Sequence, residues 1–207
     1  MHRSDAPAIP VFTAMLALIW LAALSLGGAG FDPWLIARLH PGRPDGWVTA
    51  AWVLTWLGDW AVLVPLGLGG VGWLVWQGRR RDAAVLVLAL AAVRVLVGVQ
   101  KHLIGRVRPD VTHYMTETSF SFPSGHSANA AATYLALALF LTRSRVARAL
   151  AVLLVLAVGL SRVALGVHWP SDVIGGWAFG SFAALLAAQA QGRVRPSAAN
   201  GESGHSG

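Results

Sequence analysis

The chain has 207 residues, of which 56% are hydrophobic and only 12% are charged, and its formal net charge is +7. This composition lies outside the usual range of soluble domains and disfavours a soluble single domain. The arginines are scattered between apolar segments rather than gathered on one face, which argues against a nucleic-acid partner. The absence of cysteine excludes a disulfide framework and a thiolate metal site.

Six apolar segments predict an all-α, polytopic membrane helix bundle with about six transmembrane helices. A helix of about twenty residues rises roughly 30 Å, which is enough to cross a bilayer. No convincing small-residue cleavage pattern precedes Phe31, so the first segment is interpreted as an uncleaved span rather than a signal peptide. In chain order, the predicted spans are 11–30, 60–76, 83–104, 124–141, 146–165 and 170–190.

The segment 31–59, between the first two spans, is predicted to lie at the membrane interface. It is rich in proline and tryptophan, and Trp52, Trp56 and Trp60 recur every four residues, which places them on one helical face. Because tryptophan concentrates at the headgroup level, an aromatic anchor is the simpler interpretation. The lining of a lipid entry path is the alternative.

The distribution of arginine predicts the orientation and the domain limits. Cytoplasmic loops hold an excess of Lys and Arg near span ends, so the side with most arginines is assigned to the cytoplasm, together with both termini. We predict a cytoplasmic tail at 1–10, a six-span membrane domain at 11–191 and a disordered tail rich in Gly, Ser and Asn at 192–207. The cytoplasmic arginines are Arg3, Arg79, Arg80, Arg81, Arg143, Arg145, Arg148, Arg193 and Arg195.

Three short polar blocks lie at the outer ends of predicted spans and can therefore meet in space. The first closes the third span, and the third bridges the last two spans. The second opens the fourth span, where unpaired backbone N–H groups attract anions. The blocks consist of Lys101, Arg108 and Pro109; of Pro123, Ser124, Gly125 and His126; and of Ser161, Arg162, His168 and Asp172.

The third block contains a candidate nucleophile. Pro170 suits the first position of a helix, which places Asp172 in the first turn, where the helix dipole keeps its carboxylate ionised. This carboxylate can reach back to Nδ1 of His168 and leave the lone pair of Nε2 facing outward. Cations around a helix N-terminus suit a phosphoryl group, and no acidic cluster has a spacing that would hold Mg²⁺. We therefore expect arginine and lysine to replace a metal ion, with no cofactor.

Other polar residues at this end receive simpler interpretations. Arg94 and Arg106 are expected to snorkel, with their charged groups reaching the interface. His102 and His113 fall outside the three blocks and are interpreted as interfacial histidines. Ser161 is expected to have a structural role beneath Arg162.

The blocks resemble the type 2 phosphatidic acid phosphatases, a family that shares its active site with the vanadium haloperoxidases. The family pattern of Lys, six residues and Arg-Pro is met from Lys101 to Pro109, and the pattern Pro-Ser-Gly-His at 123–126. The pattern of Ser-Arg, five residues, His, three residues and Asp is met at 161–172. Fixed residues with internal spacings in three blocks make this match specific.

The resemblance implies a function and a role for each residue. The chain is expected to be a multi-pass cell-membrane phosphatase that hydrolyses phosphatidate, phosphatidylglycerophosphate or a polyprenyl pyrophosphate through a phosphohistidine, with its site on the extracytoplasmic side. His168 would attack phosphorus, Asp172 would orient it and His126 would protonate the leaving oxygen. The phosphoryl oxygens would be held by Lys101, Arg108, Ser124, Gly125 and Arg162.

Three alternatives remain at this stage. A haloperoxidase-like enzyme would hold vanadate in the same pocket, but six apolar spans argue against it. A non-catalytic transporter or sensor is disfavoured because both histidines and the aspartate are intact. A phosphotransferase would keep the chemistry and pass the phosphoryl group to an acceptor other than water. The sequence leaves this last alternative and the oligomeric state open.

Overall fold

The computed structural model describes residues 8–27, 30–40 and 46–192, and within these ranges all long elements are helices. Arg3, Arg43, Arg193, Arg195, most of the predicted N-terminal tail and nearly all of the predicted C-terminal tail lie outside the described residues. The helices are α1 Ala8–Leu26, α2 Phe31–Leu39, α3 Gly46–Trp56, α4 Trp60–Trp76, α5 Arg80–Ile104, α6 Gly125–Leu141, α7 Arg145–Ala164 and α8 Pro170–Ala190.

The predicted fold class, an all-α polytopic membrane bundle, is confirmed. Long helices occupy all six predicted spans, as α1, α4, α5, α6, α7 and α8. By length and composition, four segments are long and apolar enough to cross a membrane: Gly46–Trp76, Arg80–Ile104, Arg145–Ala164 and Pro170–Ala190. Within α1, the segment Val11–Ser25 is apolar but shorter than these four. The helix α6 has 17 residues. The chain is a multi-pass membrane protein.

The segment predicted to be interfacial contains two helices, α2 and α3. Val48 and Ala51 of α3 pack against the end of α7 and the loop that follows it, in a cluster with Ala164, Leu165 and Val167. The second candidate span begins at Gly46 rather than Trp60, because α3 is apolar enough to join α4 in one apolar stretch. The predicted span 60–76 nevertheless coincides with α4, which a turn at 57–59 separates from α3.

The helices α6 and α8 pack closely in the centre of the bundle because small residues face each other. A Cβ atom on Gly180 would lie 2.2 Å from the carbonyl oxygen of Ala128, and one on Gly176 would lie 2.7 Å from that of Ser124. Small residues let membrane helices approach closely. The N-terminal ends of α6 and α8 are therefore adjacent, and the backbone N–H of Ser124 donates to the carbonyl oxygen of Asp172 at 3.0 Å.

The three polar blocks meet at one end of the bundle. The α5–α6 connection and the α7–α8 loop contact each other there, for example where the N–H of Tyr114 donates to the carbonyl oxygen of Leu165 at 3.1 Å. At the opposite end, Arg79 pairs with Asp82 at 2.7 Å and donates to the carbonyl oxygen of Phe140. The site is thus built from helix ends on the side away from the Arg79–Arg81 cluster.

Candidate active site

His168 lies in the α7–α8 loop, and its side chain is only 2% exposed. The loop needs glycine at position 166, where φ is +76° and a Cβ atom would lie 2.5 Å from the carbonyl oxygen of Thr112. The Nδ1 atom of His168 is 3.4 Å from Oδ2 of Asp172, and Nε2 is 3.4 Å from Nη1 of Arg108. This arrangement leaves Nε2 on the side of the cations.

Burial holds the imidazole of His168 neutral. The pKa of His168 is lowered well below its usual value of 6.5, first by loss of hydration and then by the positive charges of Arg162, Lys101 and Arg108. A neutral imidazole has a lone pair on one ring nitrogen, which a nucleophile requires. The same charges that would bind a phosphoryl group therefore favour the neutral form of His168, which the predicted role requires.

Asp172 lies in the first turn of α8, after Pro170, as predicted. Its Oδ2 atom accepts hydrogen bonds from the backbone N–H of Trp169 at 2.9 Å and from the hydroxyl of Ser121. The Ser121 hydroxyl also lies 3.4 Å from Nδ1 of His168. The carboxylate is fully buried and is fixed beside the imidazole by donors from two parts of the chain.

Arg106 is the charge partner of Asp172, and the prediction that it snorkels is wrong. Its Nη1 atom donates to Oδ1 of Asp172 at 2.8 Å and to the hydroxyl of Ser171 at 3.0 Å, and Nη2 donates to the carbonyl oxygen of Leu24 at 2.6 Å. The guanidinium lies 4.4 Å from the ring centroid of Phe122. A buried carboxylate needs a partner, and Arg106 provides it.

Lys101 and Arg108 anchor the loop that covers the site. Lys101, in the last turn of α5, is buried and donates to the carbonyl oxygens of Phe120 and Ser121. Arg108 donates from Nε to the carbonyl oxygen of Ser119 at 2.9 Å and from Nη1 to that of Val167. Burial lowers the pKa of Arg108 from its usual value, and the guanidinium remains charged.

Arg162 is fully buried at the end of α7. It donates from Nη1 to the hydroxyl of Thr55 at 2.7 Å and to the sulfur of Met115 at 2.8 Å. Its Nε has no hydrogen-bond partner within the described part of the chain. The hydroxyl of Ser161 donates to the carbonyl oxygen of Val158 at 2.6 Å, which fits the structural role expected for it.

Glu117, in the α5–α6 connection, binds two of the predicted phosphate-binding cations. Its Oε1 atom accepts from Nη2 of Arg162, and its Oε2 atom is 3.5 Å from Nη2 of Arg108. A carboxylate thus lies between the two guanidinium groups. Any phosphoryl group that binds both arginines must compete with it.

The N-terminus of α6 supplies backbone donors and the second histidine. Ser124 is the N-cap residue, and its hydroxyl accepts from that of Ser127 at 3.0 Å, whereas Gly125 begins the helix. Free N–H groups at a helix N-terminus favour an anion. His126 faces the site, with Nε2 3.8 Å from Oδ2 of Asp59.

A cleft of about 450 Å³ opens beside these groups. Four predicted site residues line it, namely Lys101, Gly125, His126 and His168, and Glu117 and Ser119 lie beside them. The cleft continues along α4 and α5, where its walls include Leu63, Val64, Leu68, Val87 and Leu90. Its polar end therefore runs into a largely apolar channel within the bundle, whose wall also contains Arg94, Asn129 and Thr133.

The structure brings all eight predicted site residues to one end of the bundle. Arg108, Ser124, Arg162 and Asp172 surround the four residues that line the cleft, through the contacts given above. Sequence reasoning did not identify Arg106, Ser121, Glu117 or Asp59 as parts of the site. A signal was available in the sequence: Arg106 lies between Lys101 and Arg108, so three cations fall within eight residues, and buried cations require acidic partners.

The fold defines a class, the multi-pass membrane helix bundle with a charged cluster at one end. Comparison with known families then identifies the chain: the profile of the PAP2 superfamily matches residues 82–196, and the chain belongs to this family. It is 38% identical over 136 residues to phosphatidylglycerophosphatase B of Bacillus subtilis, covering 61% of this chain and 66% of the relative. An undecaprenyl-diphosphatase of Sulfolobus acidocaldarius is 33% identical over 122 residues, covering 56% and 58%.

A solved structure has the same fold over nearly its whole length. The transmembrane PAP2-type phosphatidylglycerolphosphate phosphatase from Bacillus subtilis superimposes with a TM-score of 0.80 and 30% identity, covering 88% of this chain and 97% of that one. The chain spans 66% and 58% of the length of the two sequence relatives named above. These relatives are, by their names, phosphatases of lipid phosphates. The prediction that the chain belongs to the family of membrane lipid phosphatases is therefore confirmed.

Proposed function

We propose that this chain hydrolyses a phosphate or pyrophosphate ester of a lipid through a phosphohistidine at His168. The observation that carries the proposal is a buried, neutral imidazole whose Nε2 lies 3.4 Å from Nη1 of Arg108 and whose Nδ1 lies 3.4 Å from Oδ2 of Asp172. This site opens into a largely apolar cleft between membrane helices. The residue roles below are part of the proposal.

In the first step, Nε2 of His168 attacks phosphorus and the bond between phosphorus and the leaving oxygen breaks. The proton on Nδ1 stays beside Asp172, which stabilises the positive charge that develops on the ring. His126 donates a proton to the leaving oxygen. Its Nε2 atom lies 3.8 Å from Oδ2 of Asp59. The products are a lipid alcohol or lipid phosphate and phosphorylated His168.

In the second step, water attacks phosphorus and the bond between phosphorus and Nε2 breaks. His126, now neutral, accepts the proton of the water, which returns both histidines to their starting states and releases inorganic phosphate. Lys101, Arg108 and Arg162, with the N–H groups at the start of α6, neutralise the equatorial oxygens in both steps. These cations would take the role that a metal ion has in other phosphatases.

The cleft supports a lipid as the substrate. Its polar end holds the histidines and its other end is lined by leucine and valine, so a phosphate at the site would place attached hydrocarbon between α4 and α5. The relatives named above act, by their names, on phosphatidylglycerophosphate and undecaprenyl diphosphate. The candidate substrates are therefore an acylated lipid phosphate and a polyprenyl pyrophosphate.

We further propose that the site faces the extracytoplasmic side. Arg79, Arg80, Arg81 and the arginines around the start of α7 lie at the other end of the bundle from His168, and the positive-inside rule assigns that end to the cytoplasm. Both termini would then be cytoplasmic. A lipid would enter the cleft from the outer leaflet.

Phosphate release by the purified protein tests the lipid hypothesis. In mixed micelles we expect kcat/KM for a diacyl glycerol phosphate to exceed that for glycerol phosphate strongly, because non-reacting chains supply binding energy that holds the phosphoryl group in place. Activity should persist in EDTA, since the proposed charge neutralisation comes from side chains. Equal kcat/KM for the two substrates would contradict the lipid hypothesis, and loss of activity in EDTA would contradict the role of the cations.

A further inference from the structure

Arg94 lies inside a membrane helix. It is part of α5, Arg80–Ile104, and the helix rises about 15 Å between Arg94 and the outer end at Ile104, from 1.5 Å per residue. Its side chain is exposed, and among the described residues it takes part in no hydrogen bond or ion pair. This depth argues against the snorkelling predicted for it. A charged residue at such a depth is costly and marks a functional site.

Arg94 faces the cleft that leads to His168. It lines this cleft together with Lys101, which follows it by seven residues and therefore lies on the same face of α5, two turns nearer the outer end. The rise between them is about 10 Å. A lipid with its phosphate at Lys101 and His168 would therefore pass Arg94 at the depth where its chains begin.

The opposite wall of the cleft is also polar at this depth. Asn129 and Thr133 of α6 follow His126 by three and seven residues and line the same cleft. The side-chain amide of Asn129 donates to the carbonyl oxygen of Gly125 at 2.8 Å. The hydroxyl of Thr133 is thus a further polar group in the wall of the cleft, whereas the amide of Asn129 is bonded within α6. Together with Arg94, this wall favours a ligand that carries hydrogen-bond acceptors below its phosphate.

The chemistry of arginine narrows the choice of ligand. A guanidinium has five N–H donors and no acceptor, so its ligand must supply acceptors. In acylated lipids the carbonyl oxygens of the ester or amide links follow the phosphate within a few bonds, at the start of the chains. A polyprenyl chain is pure hydrocarbon from its first carbon. A second phosphate would stay at headgroup depth with the first.

We propose that Arg94 binds the acyl carbonyl oxygens of the substrate and makes the enzyme selective for acylated lipid phosphates over polyprenyl pyrophosphates. This inference rests on the proposed function and narrows its substrate class. Arg94 acts as a specificity-determining residue: it holds the lipid in register, so that the phosphoryl group stays at His168, and it takes no part in the bond changes.

A diacyl glycerol phosphate and its dialkyl ether analogue of equal chain length test this assignment, because they differ only in the two carbonyl groups. We expect the wild-type protein to show a kcat/KM about tenfold higher for the diacyl lipid, as for one hydrogen bond to a charged group. In Arg94→Leu the ratio should fall to about one. Arg148→Leu removes an exposed arginine at the far end of the bundle and should keep the wild-type ratio.

The outcomes distinguish a failure of this assignment from a failure of the proposed function. A wild-type ratio near one overturns the assignment alone and requires no variant to fold. A tenfold ratio that survives in Arg94→Leu, with a melting temperature that shows the variant to be folded, also overturns it. A polyprenyl pyrophosphate hydrolysed with a higher kcat/KM than the diacyl lipid contradicts the selectivity. No phosphate release by the wild-type protein from any of these lipids overturns the proposed function and the assignment with it.

Discussion

At the residue scale, the contacts of Asp172 hold His168, the proposed nucleophile, in place at one end of the bundle. The carboxylate is buried, and a buried charge is tolerated only when it is paired and hydrogen-bonded. Arg106 supplies the charge, and Ser121 and the Trp169 backbone supply further donors. The position of His168 therefore depends on a residue outside the three sequence blocks.

Replacing Arg106 should destabilise the protein through Asp172. Arg106→Leu leaves a buried carboxylate without its cation, and breaking a buried pair costs roughly 3–5 kcal/mol. We expect a clear fall in melting temperature in detergent, with part of the loss restored in the double variant Arg106→Leu and Asp172→Asn, which removes the unpaired charge. Arg148→Leu is the control. A double variant less stable than Arg106→Leu would contradict this account of the pair.

Glu117 should weaken the binding of inorganic phosphate and vanadate. Its carboxylate binds Arg108 and Arg162, so an anion must displace it before it can use both cations. In Glu117→Gln we expect the inhibition constants for phosphate and vanadate to fall about tenfold, since a charged hydrogen bond no longer has to be broken.

The acidic control for this measurement is Asp110→Asn, an exposed residue of the same connection that does not line the cleft. It changes the net charge by the same amount and should leave the inhibition constants close to the wild-type values. Constants that are unchanged in Glu117→Gln, or that fall equally in both variants, would show that Glu117 does not compete with the anion.

At the element scale, most of the bundle could be predicted from the sequence because polar residues and prolines interrupt the apolar segments. The predicted starts at Trp60 and Pro170 coincide with those of α4 and α8, and Leu141 ends α6 as predicted. No separate helix was predicted at the position of α3, because glycine, proline and three tryptophans in this segment indicated a membrane interface. Its packing on the end of α7 depends on tertiary contacts that have no local pattern.

The residues of the site, like the helices, were predicted where the sequence has a local pattern and missed where it has none. Lys101, His126, His168 and Asp172 were predicted because they have fixed spacings at helix ends. Ser121 and Glu117 belong to the α5–α6 connection, where no periodicity places a side chain. Their positions follow from bonds to residues far along the chain, such as that of Glu117 to Arg162.

At the scale of the whole molecule, the two ends of the bundle differ in their chemistry. One end contains acids and cations in mutual contact around the cleft, and the other contains Arg79, Arg80 and Arg81 and the start of α7. This asymmetry indicates orientation in the membrane, because arginines near span ends favour the cytoplasm. It supports the proposed extracytoplasmic site.

Labelling of single cysteines tests the orientation directly, since the native chain has no cysteine. Val107→Cys places a thiol at a residue that is 79% exposed beside the site, and Arg143→Cys places one between α6 and α7. In intact cells, an impermeant thiol reagent should label the first variant and not the second. Both variants should react with the reagent after the membrane is permeabilised. The reverse pattern in intact cells would refute the orientation.

The formation of phosphohistidine tests the central claim most directly. The purified protein is mixed with a lipid phosphate radiolabelled at phosphorus and stopped in alkali, where a bond between phosphorus and nitrogen survives. We expect label on the wild-type protein and none on His168→Asn, whose turnover should fall by at least about 10³-fold. His113→Asn, which alters a histidine that contacts the carbonyl oxygen of Pro109 outside the cleft, should be labelled like the wild type. Full turnover by His168→Asn, or label retained on it, would contradict the account.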